Sequence, residues 1–367
     1  MDIRKKFQQY FKTFFQKLFI LIYGEIKKFK EFNSINLKRV NLKNIKSDTF
    51  HEKQYHIYEI EKGRIYTDTV ENVAIIKNNT IIPNISYQQI NGELKSSEFN
   101  KVLKIGTPRI KKIVKGTIFS MVQGASGNNY FHFLFDVISR LKMCEEEYKL
   151  SNIDYFYVSN DIHWQKKILS IFGIEKDRII NSNKYRHIQA DKIIAVDHPW
   201  YQVGKVHDEI KNIPSWIVFW LRNKFINMAK KFNNNEKIFI DRSESKFKHC
   251  QFQNNDEIIN FLNTKGFTSY KLGQLDFFEQ IYLFKNEKIF IGPHGAAFAN
   301  IIFCKPKTNI VEGLPKTHPS KALERVSKIV DLNYCRISTP ELTTNEKKFG
   351  DIKFDIEKMD ELIKKIT

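Results

Sequence analysis

Apolar and polar positions change their pattern near residue 127. Before that point, residues 51–120 carry short apolar runs separated by turn residues, a pattern that predicts strands. After it, apolar runs of strand length alternate with segments of helical periodicity. This alternation predicts an α/β fold in which helices cover both faces of a parallel sheet.

Two successive α/β regions follow residue 127, and their elements have definite predicted bounds. In the first region the pattern predicts a helix, a strand, a helix, a strand and a long helix at 128–147, 155–158, 161–172, 193–196 and 215–231. In the second it predicts strands at 237–240, 267–272, 289–292, 309–311 and 334–337. Helices are predicted between these strands at 256–265, 276–285, 295–303 and 320–330, with Asp276 and Glu279 as a capping box.

The chain therefore divides into four predicted parts, 1–24, 25–225, 226–340 and 341–367. The last part carries an apolar stripe that predicts a helix packing back across the two domains: Ile352, Ile356, Met359, Ile363 and Ile366. No stretch reaches the roughly 18 consecutive apolar residues of a transmembrane helix.

The first 24 residues predict a basic amphipathic helix. Apolar residues recur at helical spacing at Phe7, Phe11, Phe14, Leu18, Leu21 and Ile22. Basic residues fall mainly elsewhere, at Arg4, Lys5, Lys6, Lys12 and Lys17. Such a helix suits an anionic membrane surface. The alternatives are packing on the protein's own body or on a second subunit, and a targeting segment, although no small-residue cleavage site follows.

Composition and charge narrow the class of protein. A chain with 42% hydrophobic, 28% charged and 14% aromatic residues is a folded body rather than a disordered one. The 60 basic and 41 acidic residues give a net charge of +19, which indicates either attraction to polyanions or the Lys- and Asn-rich bias of an AT-rich genome. Four dispersed cysteines, with no CxxC pair, predict a reducing compartment with neither a disulfide framework nor a zinc site.

The strongest chemical signal is the segment IFIGPHGAAFAN at residues 289–300. An apolar strand runs directly into Gly-Pro-His-Gly and then into a helix, and ligands of open parallel sheets bind beyond the carboxyl ends of strands. The free N–H groups of the helix start and the His294 ring suit a diphosphate. Glu312, just past the next strand, is placed to accept two ribose hydroxyls. The alternatives are a tight turn with a surface histidine and a solvated carboxylate.

A second signal lies on the helix predicted at 128–147. His132, Asp136 and Arg140 are spaced at i, i+4 and i+8, so they share one face of an otherwise apolar helix. A histidine backed by a carboxylate is a credible general base. The alternative is a buried structural network in which Asp136 and Arg140 pair.

A third signal is the basic loop 241–249, which follows the strand at 237–240. Its cations could neutralise a diphosphate leaving group without a metal: Arg242, Lys246, Lys248 and His249. The alternative is an ordinary basic loop in a lysine-rich protein.

In this order, the three segments resemble glycosyltransferase family 61, which includes bacterial capsule-type enzymes and eukaryotic xylosyl- and N-acetylglucosaminyltransferases. Residues 129–140 resemble its N-x-x-H-x-x-x-D-x-x-x-R helix. Residues 238–257 resemble its strand, arginine and basic loop, although lysines stand here at 246 and 248 where the family has arginines. Residues 292–312 resemble its GxHGAxxxN…E stretch. The resemblance covers roughly residues 115–340.

The resemblance implies a GT-B-like fold, in which two Rossmann-like domains face a central cleft. It also implies an inverting transfer from a nucleotide sugar, UDP-linked in our expectation, to a growing surface polysaccharide or glycolipid. Part 25–225 would be the acceptor-side domain and part 226–340 the donor-binding domain. No cofactor is expected, and the absence of a DxD triplet from the sequence agrees with a metal-independent mechanism.

The resemblance also implies residue roles. His132 would be the base, oriented by Asp136; alternatively Asp136 acts directly and His132 binds the acceptor. Asn129 and Arg140 would lie on the acceptor side. The donor-binding residues would be Arg242, Lys246, Lys248, Asn254, Pro293, His294, Gly295, Ala296, Asn300 and Glu312.

Three rival functions remain open at this point. The same pocket could serve a phosphotransferase or an epimerase, or the chain could be a non-catalytic carbohydrate- or nucleotide-binding scaffold. Nucleic-acid binding is suggested by charge alone, and no recognised nucleic-acid motif appears, so we expect no such partner. The expected location is cytoplasmic, peripheral at the inner face of the cell membrane, and the oligomeric state stays open.

Overall fold

The structure, a computed structural model, describes residues 3–29, 36–40, 54–69, 72–91, 93–122, 127–201, 204–231, 236–245, 250–339 and 350–367. It is mixed α/β, which confirms the predicted class, and it consists of two compact units, Met1–Glu209 and Ile210–Thr367. The GT-B arrangement and the domain boundaries expected at residues 24, 225 and 340 stay predictions.

The first unit contains most of the strands. Its helices are α1 (Ile3–Tyr23), α2 (Val102–Ile105), α3 (Tyr130–His132), α4 (Ser139–Glu145), α5 (His163–Ile171) and α6 (Val206–Glu209). A π-helical segment, Phe133–Ile138, joins α3 to α4. Its strands are β1 (Asn36–Val40), β2 (Tyr55–Glu61), β3 (Arg64–Thr69), β4 (Asn72–Lys77), β5 (Thr80–Ile81), β6 (Gln88–Ile90), β7 (Glu93–Lys95), β8 (Lys112–Ser120), β9 (Tyr155–Val158), β10 (Ile179–Asn181), β11 (His187–Val196) and β12 (Gly204–Lys205).

The main sheet of this unit has the order β10-β9-β8-β11-β3-β4-β5, with β2 also paired to β11 and β1 paired to β2. The four strands from β10 to β11 are parallel, as predicted, but the others are antiparallel. A tight connection explains the antiparallel pairing of β4 with β5. Asn78 and Asn79 join β4 to β5 with φ angles of 47° and 57°, the geometry of a two-residue hairpin. Parallel neighbours need a crossover of a dozen or more residues.

The parallel strands of this sheet all end at the same edge. Because β8, β9 and β11 are parallel, their carboxyl ends at Ser120, Val158 and Val196 lie along the same edge. Strand β2 is antiparallel to β11 and therefore begins at that edge, where Ile57 pairs with Val196. This edge therefore carries the segments that follow β8 and β11 and also the start of β2.

The second unit is a parallel α/β unit. Its helices are α7 (Ser215–Phe225), α8 (Asn255–Thr264), α9 (Phe277–Asn286), α10 (Ala322–Val330) and α11 (Ile356–Ile366), with a 3₁₀ helix at Ala296–Phe303. Its strands are β13 (Lys237–Ile240), β14 (Thr268–Tyr270), β15 (Ile289–Pro293), β16 (Asn309–Pro315) and β17 (Asn333–Thr339). The sheet order is β14-β13-β15-β16-β17, with every pairing parallel.

The elements of this unit confirm the pattern-based prediction within a few residues. The Asp276 side chain accepts from the Phe278 amide at 2.9 Å, and Glu279 accepts from the Asp276 amide at 3.0 Å, so the predicted capping box is present. The helix predicted at 295–303 is a 3₁₀ helix.

The C-terminal segment packs within the second unit. Ile352, Phe354, Met359 and Ile363 are buried in one cluster with apolar residues of β13, β15, β16 and α8. Packing of this helix across the two domains stays a prediction. Among the helices of the described ranges, none combines the length and hydropathy needed to span a bilayer.

Candidate active site

In the first unit, the helix start at α3 presents His132 beside Asp136. The Asn129 side chain caps the helix and accepts from the His132 amide at 3.3 Å. The His132 Nδ1 atom lies 2.7 Å from Oδ2 of Asp136, as the i, i+4 spacing predicts. The His132 side chain is 21% exposed, whereas that of Asp136 is fully buried. Only the imidazole of this pair has surface to offer a substrate.

The Asp136 carboxylate is held from several sides. The Trp200 indole donates its Nε1–H to Oδ1. The buried His198 ring places its Nε2 atom 3.9 Å from Oδ2. An ionised carboxylate only accepts, so His132 donates from Nδ1, and the lone pair of the neutral ring is then on Nε2. Asp136 thus fixes both the tautomer and the direction of the imidazole.

Asp136 lies inside the π-helical segment Phe133–Ile138, all of whose residues are buried. Short π-helical insertions in α-helices are frequent at functional sites. Phe131 and Phe135 stack here with ring centroids 4.3 Å apart, which packs the apolar side of the helix start. The segment therefore combines an apolar support with the hydrogen-bonded pair of His132 and Asp136.

Arg140, the third predicted member, is fully buried. Burial lowers the pKa of its guanidinium to about 10, against the opposing charge of Asp136, Asp197 and, when ionised, Tyr87. These surroundings favour the interpretation as a buried structural network. Acceptor contact by Arg140, or by the capping residue Asn129, stays a prediction.

A second histidine–carboxylate pair lies at the same sheet edge and was missed by the sequence analysis. Asp197 follows β11 directly, and its Oδ2 atom lies 2.9 Å from Nδ1 of His56, at the start of β2. Tyr58 donates to its Oδ1 atom at 3.0 Å. The segment after β11 therefore holds His56 through Asp197 and Asp136 through Trp200. The rule that ligands bind beyond strand carboxyl ends, applied to β11, could have found it.

In the second unit, the turn after β15 presents His294. Its amide donates to the Gly313 carbonyl at 2.7 Å, which ties the turn to β16. Its Nδ1 atom bonds Oε1 of Glu312, and Oε2 of Glu312 accepts from the Tyr334 hydroxyl at 2.5 Å. His294 is thus held on a carboxylate, as His132 is in the first unit.

Glu312 is 2% exposed, and both of its oxygens have a partner. Burial and the Glu312 charge raise the pKa of Tyr334, so its hydroxyl remains a donor at neutral pH. The structure therefore brings Glu312 to His294, a pairing that the sequence analysis did not foresee. A ribose contact of Glu312 stays a prediction.

Arg242, at the end of β13, lies over the same turn. Its guanidinium donates to the carbonyl of His294, and a Cβ atom at Gly295 would lie 2.5 Å from its Nε atom. The φ angle of Gly295 is 175°, which is extended backbone open to any residue. A side chain at this position would therefore displace the Arg242 guanidinium. Gly292 is similarly close to Ile240, with only 3.0 Å from its would-be Cβ to the carbonyl oxygen.

His318 completes the surroundings of His294 and was also missed. Its ring centroid lies 4.2 Å from that of His294, and the residue is 3% exposed. Arg336 donates to the His318 carbonyl at 2.6 Å and fixes the segment. His318 follows the carboxyl end of β16, so the strand-end rule could have identified it too.

Of the other predicted donor-binding residues, some flank the turn at His294 and others contact different parts of the second unit. Pro293 ends β15 and Ala296 begins the 3₁₀ helix, so both flank the turn. Asn300 is fully buried and donates to Gln280 at 2.8 Å, which joins the 3₁₀ helix to α9, and its donor contact stays a prediction. The Asn254 side chain pairs with both backbone groups of Phe354, at 2.8 and 3.1 Å. Lys246, Lys248 and His249 lie outside the described residues.

An open groove of about 590 Å³ lies between α10 and β17. Its lining is charged and polar and includes Glu324, Lys328, Tyr334 and Arg336. Small-molecule sites are mostly apolar clefts, so this charged and polar lining does not favour a small-molecule site in the groove.

The described residues hold no group of three or more His, Cys, Asp or Glu side chains that could bind a metal ion. Metal independence stays a prediction for chelation to test. The four cysteines are free thiols.

Comparison with protein-family models places part of the chain in a known family. Residues 130–311 match the family model described as Glycosyltransferase 61. The matched segment takes in part of each unit and contains His132, Asp136, Arg242 and His294. No curated protein matches the chain.

Proposed function

We propose an inverting, metal-independent glycosyl transfer, because residues 130–311 match the glycosyltransferase 61 family model, which supports a glycosyltransferase. The donor is a nucleotide sugar, with UDP as the preferred nucleotide, and the acceptor is a hydroxyl of a growing surface polysaccharide or glycolipid. The observation that carries this proposal is the partly exposed imidazole of His132 fixed on the buried carboxylate of Asp136.

His132 is the general base in this proposal. An inverting transfer is a direct displacement: the acceptor oxygen bonds to the anomeric carbon as the bond from that carbon to the diphosphate oxygen breaks. The acceptor proton passes to Nε2 of His132. Asp136 is fully buried and engaged by His132 and Trp200, so it acts by orienting the ring and stabilising the imidazolium that forms. This burial favours His132 over the alternative in which Asp136 is the base.

The turn at His294 binds the departing nucleoside diphosphate in this proposal. Glu312 holds the His294 ring through Nδ1, and the ring, when protonated, can donate from Nε2 to a phosphate oxygen. The amides of Gly295 and Ala296 and the guanidinium of Arg242 add donors and positive charge. Lys246 and Lys248 remain proposed contributors from the basic loop. Charge relief by these groups takes the place of a divalent ion.

The acceptor and location follow from the same proposal. In this proposal the acceptor is a polymer or lipid-linked glycan made at the cytoplasmic face of the membrane of a bacterial cell, as in capsule synthesis. The protein would then act as a peripheral protein at the inner face of that membrane. We expect no nucleic-acid partner. The second candidate, a non-catalytic nucleotide- or carbohydrate-binding scaffold, is favoured by the burial of Asn300 and Arg140, two of the residues expected at the site.

Release of nucleoside diphosphate from a panel of nucleotide sugars, with and without EDTA, tests the function. We expect release that chelation leaves unchanged and that His132→Ala lowers by about 10²- to 10⁴-fold, the usual contribution of a general base. His163→Ala, which removes an exposed histidine at the start of α5, is the matched control.

Three outcomes contradict parts of the proposal. Activity lost with EDTA and restored by a divalent ion would disprove metal independence. Unchanged release in His132→Ala would remove His132 as the base. Donor binding seen by melting shift, without turnover across the panel, would support the scaffold.

A further inference from the structure

Helix α1 packs on the first unit through one face at its C-terminal half. Its half-buried residues there include Phe15, Phe19, Ile20 and Tyr23. The Tyr23 ring meets the buried His187 ring edge-on at 5.1 Å, and the Ile20 side chain lies against Gly106. This face of α1 therefore packs against the rest of the first unit.

The opposite face of α1 is apolar and exposed. Its large side chains are between 36% and 83% exposed: Phe7, Tyr10, Phe11, Phe14, Leu18, Leu21 and Ile22. Positions 7, 11, 14, 18 and 21 follow the i, i+4, i+7 spacing of a single helical stripe. An isolated exposed apolar residue is ordinary, but a continuous stripe of this length marks an interaction surface.

A second exposed element touches the C-terminal end of α1. Ile110 and Ile113 are 84% and 63% exposed. Between them, Lys111 donates its amide to the Tyr23 hydroxyl at 3.2 Å and places its ammonium 5.2 Å from the Tyr23 ring. Of the twelve large apolar side chains exposed among the described residues, nine lie on α1 and this segment.

The charged residues within α1 and within the segment 109–115 all have one sign. Residues Ile3–Tyr23 contain five basic and no acidic residues. The segment 109–115 likewise contains Arg109, Lys111, Lys112 and Lys115 and no acidic residue. An apolar stripe bordered by positive charge is complementary to a bilayer with anionic headgroups.

We propose that the exposed face of α1 and the segment 110–113 form one membrane-binding surface for anionic phospholipid. In this arrangement α1 lies in the plane of the interface, its phenylalanines and leucines enter the acyl boundary, and Ile110 and Ile113 insert beside its C-terminal end. The lysines and arginines contact the headgroups. The surface would hold the protein at the membrane whether or not the transfer chemistry proposed above is correct.

Co-sedimentation of the whole protein with vesicles tests the proposal. We expect binding to vesicles of phosphatidylcholine with phosphatidylglycerol, little binding to phosphatidylcholine alone, and weakening as salt rises. Phe11→Ser and Ile113→Ser each remove one inserted side chain, and each should weaken binding by roughly tenfold, as the burial free energy of such side chains indicates. Phe99→Ser, at an exposed apolar residue elsewhere in the unit, should leave binding unchanged.

The outcomes separate the possible occupants. Absence of vesicle binding overturns the proposal. A dimer seen by light scattering that Phe11→Ser dissociates, with no vesicle binding, would assign the face to a second copy of the chain. Loss of binding in Phe11→Ser but not in Ile113→Ser would overturn the single surface and leave α1 alone. Thermal melts of both variants identify any loss of folding.

Discussion

A Cβ atom at Gly295 would lie 2.5 Å from Nε of Arg242, closer than two such atoms approach in folded proteins. The guanidinium also donates to the carbonyl of His294. The position of Arg242 thus depends on the absence of a single methyl group in the turn.

Gly295→Ala should displace Arg242 from the turn and weaken binding of nucleoside diphosphate about tenfold, since a hydrogen bond to a charged group contributes about 1.5–3 kcal/mol. The melting shift produced by UDP measures the effect. Arg242→Ala should weaken binding similarly, and the double variant should be little worse than either one. Additive losses would show that the two residues act independently.

Glu312→Gln should uncouple His294 from its carboxylate and lower the affinity for UDP about tenfold. Tyr334→Phe, which removes one donor to the same carboxylate, should have a smaller effect. Competition with uridine distinguishes orientation of His294 from ribose binding. Orientation predicts unchanged uridine affinity in Glu312→Gln, whereas an equal loss for uridine and UDP would establish the ribose contact.

Trp200→Phe keeps an aromatic ring but removes the donor to Asp136, so His132 should be held less firmly. We expect turnover to fall roughly tenfold with the donor KM little changed, because the loss concerns the chemical step. Trp164→Phe is the matched control, since that ring packs on Tyr130 and Phe133 of the same helix at 5.3 and 5.0 Å. An equal fall in both variants would indicate general loosening of the helix.

Acid should destabilise the first unit through His187. Burial lowers its pKa from 6.5 to about 4, so the unfolded chain binds this proton first as pH falls. Above about pH 6.5 the His187 side chain is neutral in both the folded and the unfolded chain, so it does not change the free energy of unfolding. As pH falls from about 6.5 to about 4, only the unfolded chain gains the proton, and the free energy of unfolding decreases. The expected loss between about pH 7 and pH 5 is about 2 kcal/mol.

Melting temperatures at these two pH values check this expectation. His187→Gln cannot bind the proton, so its melting temperature should fall less on acidification than that of the unmodified protein. Equal falls in the two proteins would place the acid sensitivity elsewhere.

The second unit could be predicted from sequence because its signals are local. The strand at 289–293 is a continuous apolar run, and the capping box at Asp276 and Glu279 spans four residues. The long-range antiparallel pairings of the first unit were less predictable, since pairing of β2 with β11 joins residues more than a hundred positions apart. A periodic pattern predicts which face of an element is buried, but it does not predict which elements pack or pair with it.

The same distinction applies to the site. His132 and Asp136 are four residues apart on one helix, so their pairing could be predicted. His56 and Asp197 are 141 residues apart, and their pairing follows from sheet register alone. Asn300 has the residue type of a ligand-binding position, but its burial against Gln280 depends on helix packing that its own segment does not encode.

The burial of Ile352, Phe354, Met359 and Ile363 against the central strands has a consequence for biosynthesis. A ribosome makes these residues after β13, β15 and β16, so the nascent strands keep an uncovered hydrophobic side until α11 emerges from the exit tunnel. The first unit can close while translation continues, as domains of nascent chains generally do. Chains that terminate early would therefore carry a finished first unit and an aggregation-prone second one.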